Sequence, residues 1–179
     1  MSQEFAVGHA QAHLYKYKKQ NNTMGTVDNY AKKAMQIIDS NSYMVVCTSD
    51  KGAIPWGAPV FFAHDRKYSK AYFISAIDSR HAKNISDNSK VALAIFDSTS
   101  PIGILEGVQI EASAEMVGKA EIDEATKIYS ARLSAKANAP EKYDPKMYLP
   151  PSEFRFFKVK FDCVYVTGED RHIEVDLSG

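Results

Sequence analysis

Ser75-Ala76-Ile77-Asp78-Ser79-Arg80-His81-Ala82-Lys83-Asn84 is the stretch that decides how this chain is read. A short apolar strand, 71–75, ends at Ser75, and a loop, 76–79, follows. Ser79 then serves as the N-cap of a short helix reaching Ser86. A helix start presents unpaired N–H donors and a partial positive charge, which suit a phosphate. Arg80 adds a planar fork able to grip two phosphate oxygens. Lys83 follows three residues on, on nearly the same face, and the hydroxyls of Ser75 and Ser79 add donors. The same residues also suit a solvated basic helix face built from Arg80, His81 and Lys83. Chemistry alone leaves both readings open.

Toward the N-terminus, Val27, Tyr30, Ala31, Ala34, Met35 and Ile38 form an apolar stripe at helical spacing, so 27–39 is expected to be a helix capped by Thr26 or Asp28. The period then changes. Residues 43–49 are β-rich, Asp50-Lys51-Gly52 is a turn with Gly52 available for positive φ, and 54–63 read as the returning strand of a hairpin. Pro55 and Pro59 remove ladder donors from that strand, which places it at an edge or at a bulge. Residues 64–70 form a charged turn, in which His64 is expected to be exposed.

Toward the C-terminus, 91–96 lacks any polar side chain and reads as a central strand. Residues 98–103 form a Ser-Pro and Gly loop. In 105–117, Val108, Ile110, Ala112 and Ala114 alternate with Gln109, Glu111, Ser113 and Glu115. Ile122, Ala125, Tyr129 and Leu133 make 121–137 a second amphipathic helix. An irregular, proline-bearing link, 140–151, leads to a long β-rich run, 154–167, and a final segment, 172–177. Six or seven strands in antiparallel succession, with inserted helices, argue for a small barrel rather than a doubly wound parallel sheet.

The fold expected is mainly β, an antiparallel split β-barrel with peripheral helices, occupying 26–179 behind an N-terminal arm, 1–25. A length of 179 residues suits one such domain. Lys and Arg total 22 and so do Asp and Glu, so no global field attracts nucleic acid. The arm holds the basic cluster Lys16-Tyr17-Lys18-Lys19, read as solvated or as an extension toward a partner subunit. No apolar stretch reaches signal-peptide or bilayer-spanning length, so no membrane partner is expected and the cytoplasm is the default location. Cys47 and Cys163 lie in apolar segments and are expected to be buried, reduced thiols. His9 and His13, four apart, lack a third ligand, and no metal site is expected.

Taken together, Ala71-Tyr72-Phe73-Ile74-Ser75, then Ser79-Arg80-His81-Ala82-Lys83-Asn84-Ile85, then Asn88-Ser89-Lys90-Val91-Ala92-Leu93-Ala94-Ile95-Phe96 resemble the pyridoxamine 5'-phosphate oxidase-like family of FMN-binding split barrels. Gly52-Ala53-Ile54-Pro55 through Pro59 and the Ala114-Glu115 pair resemble that family's flanking strands. Ser89 stands where the family usually has Pro, and His81 where a second basic residue is common. The resemblance implies that FMN is the cofactor. It assigns the phosphate to Ser75, Ser79, Arg80 and Lys83, counts His81 among the cofactor-binding residues, and assigns the isoalloxazine ring to Trp56, Gly57, Ala58 and Pro59. Gln109, from the neighbouring strand or a second subunit, would reach the ribityl chain or phosphate.

It further implies a homodimer with flavin at the two-fold interface, an FMN-dependent oxidoreductase and a small-molecule redox substrate. The flavin would carry the redox chemistry, so no side chain is assigned as catalytic. The tail, 165–179, lacks the Trp and Arg-rich signature of true pyridoxamine phosphate oxidases, with only Arg171 and His172 echoing it. Competing readings are a non-catalytic flavin- or haem-binding protein, a deazaflavin binder and a flavin-free dimeric module. Trp56, the single tryptophan, suits either flavin stacking or a core or interface position. Tyr143, Tyr148 and Phe154 suit packing beneath a loop, the expected outcome, or roofing a flavin pocket.

Overall fold

A computed structural model describes residues 27–101, 106–137, 144–168 and 171–177. Helix α1, Val27–Ser40, leads into strands β1, Tyr43–Ser49, β2, Pro55–Phe61, β3, Ala63–His64, and β4, Lys70–Ala76. Helix α2, Arg80–Asp87, is followed by β5, Lys90–Phe96, and β6, Gly107–Met116. Helix α3, Ile122–Ala137, and a 3-10 turn, Pro145–Tyr148, precede β7, Phe154–Thr167, and β8, His172–Val175. The strands form one antiparallel sheet in the order β2-β1-β5-β6-β7-β4-β3, with β8 also on β7. The proline-bearing β2 is at the edge and β5, apolar from Val91 to Phe96, is central, as their sequences predict.

The sheet curls around a core made by alternate residues. Met44 and Val46 from β1, Leu93 and Ile95 from β5, Val108 and Ile110 from β6, and Phe73 from β4 point inward. Ala34, Ile37 and Ile38 of α1 and Ala82 and Ile85 of α2 complete it. A second core lies on the opposite face of β4 and β7, where α3 and the 3-10 turn bring Ile122, Ala125, Tyr129 and Tyr148 onto Tyr72 and Phe156. Tyr148 therefore packs beneath the link as expected, whereas Phe154 is exposed and Tyr143 lies outside the described residues. The arm with His9, His13 and its lysine cluster also lies outside them.

Three expectations are corrected. His64 is not exposed: the residue is half-buried and its side chain only 9% exposed. Its ring stacks on Tyr68, Nδ1 donates to the Asp65 carbonyl at 2.8 Å, and Nε2 sits 3.0 Å from an Asp39 carboxylate oxygen. The turn is charged, but its start is β3, which carries the ring under α1. The cysteines are free but not both buried: Cys47 is exposed and Cys163 half-buried. In β1, Met44, Val46 and Thr48 take the inner face, so Cys47 must take the outer one. At the first hairpin the positive φ belongs to Ala53, at 59°, because the Asp50 carboxylate accepts the amides of Gly52 and Ile54 and curls the turn one residue later.

Two outcomes follow from these corrections. A non-glycine residue in the left-handed region costs about 1–2 kcal/mol, so Ala53→Gly should stabilise the chain by roughly 0.5–1 kcal/mol in urea unfolding. Burial lowers the His64 pKa below 6.5, and Arg132 adds to the effect, although the Asp65 carbonyl and Asp39 oppose it. The unfolded chain then takes up a proton that the folded chain resists. Stability from this group is full above 6.5 and falls as pH drops through 6.5 toward the folded value. The urea midpoint should therefore fall between about pH 7.5 and about pH 5.5, and less steeply in His64→Gln.

Candidate functional site

Strand β4 delivers Ser75 to the inner face at one end of the barrel, and the chain turns immediately into α2. Ser79 caps that helix, with φ −61° and ψ 151°, and its hydroxyl accepts the Ala82 amide at 3.3 Å. The amides of Arg80 and His81, in the first turn, have no acceptor among the described residues. Ser75 Oγ lies 3.0 Å from Ser79 Oγ and 2.7 Å from His81 Nε2. The His81 ring is turned inward against Phe73, 6.0 Å between centroids, and burial lowers its pKa below 6.5. It does not join a solvated basic face. Arg80 and Lys83 are exposed on the helix, one turn apart.

Arg80 lies over the Trp56 ring, 4.7 Å from its centroid, and its guanidinium is 3.9 Å from Asp50. Trp56 is 41% exposed, which places it at the rim and not in the core. A buried chain of hydrogen bonds ties this corner together: Asn84 Nδ2 donates to Thr48 Oγ1 at 3.0 Å, and Thr48 Oγ1 donates to the Trp56 carbonyl at 3.3 Å. Sequence reasoning missed Asn84 and Thr48 in this role. Asn84 on a helix of polar mean character carried a signal only once its burial was known.

Arg155 was also missed. It is cross-strand to Ser75, only 8% exposed, and donates to the carbonyls of Ser152 and Phe154. The cradle therefore holds free amides, two hydroxyls and three cationic side chains nearby, and Asp50 is the one carboxylate among the described residues in contact with any of them. That donor set matches a phosphate.

The remaining predicted residues sit elsewhere. Ala58 is buried in the core, leaving only its backbone for a ligand. Gly57 and Pro59 lie on the outer face of the sheet, in register with Cys47 and Val45. Gln109 shares that face, opposite Ala94 and Tyr165. Ser75 pairs with Arg155 and Gln109 with Tyr165, ten residues further along β7, roughly 30 Å of strand. One chain therefore does not bring Gln109 to the cradle. The outer face of β1, β2, β5 and β6 carries Val45, Cys47, Pro59, Ala92, Ala94 and Phe96 and is covered by no described element.

The model of one protein family, described as pyridoxamine 5'-phosphate oxidase, matches residues 30–168. The chain belongs to that family. It is 26% identical over 92 residues to a UPF0306 protein of Pasteurella multocida, a match spanning 51% of this chain and 60% of that protein. Among solved structures, a heme binding protein from Mycobacterium smegmatis superposes with a TM-score of 0.64 at 18% identity, over 87% of this chain and 60% of that one. HutZ, the heme storage protein of Vibrio cholerae, superposes with a TM-score of 0.61 at 17% identity, over 78% and 95%. This chain thus spans less than two thirds of the first two proteins. At these identities the structural neighbours establish the split-barrel fold. No helix among the described residues is long and apolar enough to cross a membrane.

The buried Asn84–Thr48 bond anchors α2 to β1. Asn84→Ala takes the donor from the buried Thr48 oxygen, whose own bond to the Trp56 carbonyl remains, and should cost about 1 kcal/mol in urea unfolding. Ser86→Ala, on the exposed side of the same helix, should change little.

Proposed function

We propose that the chain is an FMN-binding flavoprotein that acts as an FMN-dependent oxidoreductase on a small-molecule substrate. The observation carrying this reading is the cradle at the start of α2, with free amides beside Ser75, Ser79, Arg80 and Lys83. Its chemistry asks for a phosphate monoester, and Trp56 at the rim offers an aromatic neighbour to a flat ring. When bound, the flavin would supply two-electron chemistry. The chain's own part would be to hold the phosphate and exclude water from the ring.

Gly57, Pro59 and Gln109 sit on the outer face, apart from the cradle. A second copy laid on that face brings its own cradle to them, which supports a homodimer with flavin at the interface. The exposed apolar residues of β1, β2 and β5 on that face support the same arrangement, with Gln109 and Glu111 of β6 at its border, since exposed apolar patches mark interaction surfaces. The relatives that bind heme raise a second reading. Of the described histidines, His64 and His81 are already engaged inside the chain, which leaves His172 on β8 as the candidate axial ligand.

Titration of the flavin-free protein decides between these. FMN should bind, and riboflavin, which lacks the phosphate, should bind much more weakly. Arg80→Ala removes a charge-assisted contact of about 1.5–3 kcal/mol and should weaken FMN by roughly one to two orders of magnitude with the fold intact. Equal affinity for the two flavins would refute the anion site, and a Soret band on adding haemin with no flavin binding would favour the second reading. Light scattering should give a dimer mass, and Ala92→Glu, which places a charge in the outer face, should shift it toward the monomer.

A further inference from the structure

His81 stands where its relatives in the resemblance carry a basic side chain, yet its ring points away from solvent and into two hydroxyls. Nε2, Ser75 Oγ and Ser79 Oγ form a closed triangle with sides of 2.7, 3.0 and 3.3 Å. Ser79 Oγ also accepts the Ala82 amide. We propose that His81 is a positioning residue of the anion cradle, and that the cradle takes up a proton on Nε2 when it takes up an anion. The proposal rests on the phosphate reading of the cradle given above.

Counting protons shows why. Two hydroxyl protons are present whatever the ring does. With Nε2 bare and the ring proton on Nδ1, Nε2 only accepts. Ser75 turns its proton into Nε2, Ser79 turns its proton onto Ser75 Oγ, and the triangle shows lone pairs to an incoming anion. With Nε2 protonated, the ring donates to Ser75 Oγ and Ser75 donates to Ser79 Oγ. The Ser79 proton then has no acceptor left within the triangle and turns outward, beside the free amides of Arg80 and His81. A proton on Nε2 thus converts a repelling edge into a donor; the neutral Nε2–H tautomer offers the same pattern, and the charge of the anion is what favours the imidazolium over it.

The charged groups around the ring set the sign. Arg80 and Lys83 on its own helix and Arg155, the cross-strand neighbour of Ser75, oppose a second positive charge. Asp78 in the preceding turn and Asp50, reached through Arg80, favour it. Burial beside Phe73 keeps the ring neutral without a ligand. A phosphate monoester brings about −1.5 to −2 charge at neutral pH and tips the balance toward the imidazolium. Uptake by the ring is opposite in sign to the proton a phosphate group with a pKa near about 6 gives up on binding as the dianion.

The test is calorimetric titration of the full-length flavin-free chain at about pH 7 in buffers of different ionisation heat, with FMN and riboflavin as the two arms. Net proton uptake should accompany FMN and not riboflavin. His81→Phe should weaken FMN roughly tenfold and leave riboflavin unchanged. His81→Gln keeps an amide donor for Ser75 but cannot titrate; it should retain most of the FMN affinity and take up no proton. Preference for FMN without proton uptake in the wild type, or undiminished FMN affinity in a folded His81→Phe, overturns the role of His81 while leaving the phosphate site standing. Equal binding of FMN and riboflavin removes the phosphate site itself, and this inference with it.

Discussion

Strand β7 is the member on which every other part of the sheet depends. It pairs with β6 along one edge, and on the other edge with β4 over its first half and β8 over its second. Between the halves Asp162 is inserted without a partner on β6, a bulge opposite the Glu111–Ala112 step. One extra residue shifts the phase of the pleat. Phe157 and Val159 face the barrel core before it, and Val164 and Val166 after it. Without that shift, one half of β7 would turn its apolar residues to the outside.

The phase of β7 in turn decides what the two faces of the sheet can do. Before the bulge, the inner face carries Arg155 beside Ser75, and the outer face carries Phe156 beneath α3. Helix α3 does more than cover that face. Arg132 donates to the carbonyls of Ile38 and Asn41 at the end of α1, and Lys136 to that of Ser40. These are carbonyls that a helix end leaves unpaired, and cations are favoured there. His64, Tyr68 and Asp39 meet at the same junction. A helix late in the chain is therefore locked to the first one by polar contacts at its end, not by a shared apolar stripe.

The proposed chemistry follows the same division of faces. A cradle of amides and hydroxyls opens at the barrel's end, where the α2 N-terminus is held by Asn84 and Thr48. The outer face of β1, β2 and β5 carries small residues such as Ala92, Ala94 and Gly57, bordered on β6 by Gln109 and Glu111. Small side chains on a sheet leave room for another surface to approach closely. A ligand with an anionic end and a flat aromatic end suits those two environments, which the proposed dimer would bring together.

Local patterns were enough to locate most elements. The stripe of α1, the Ser79 cap, the apolar run of β5, the alternation in β6 and the two prolines of β2 each act within a few residues, so the chain's own order displays them. The grouping of Ser75, Ser79, Arg80 and Lys83 at one helix start was legible for the same reason, since they are neighbours in sequence. Tertiary structure decided the rest. Whether His64 or Cys47 is buried depends on which face its strand turns inward, and that depends on pairing with distant strands. The roles of Asn84 and Arg155 require partners 36 and 80 residues away, at Thr48 and Ser75. The inward turn of His81, which the basic composition of its helix concealed, follows from the burial of Phe73 and Ser75 beside it. Short-range propensities are written in the sequence, whereas burial is a property of surfaces that meet only when the chain has folded.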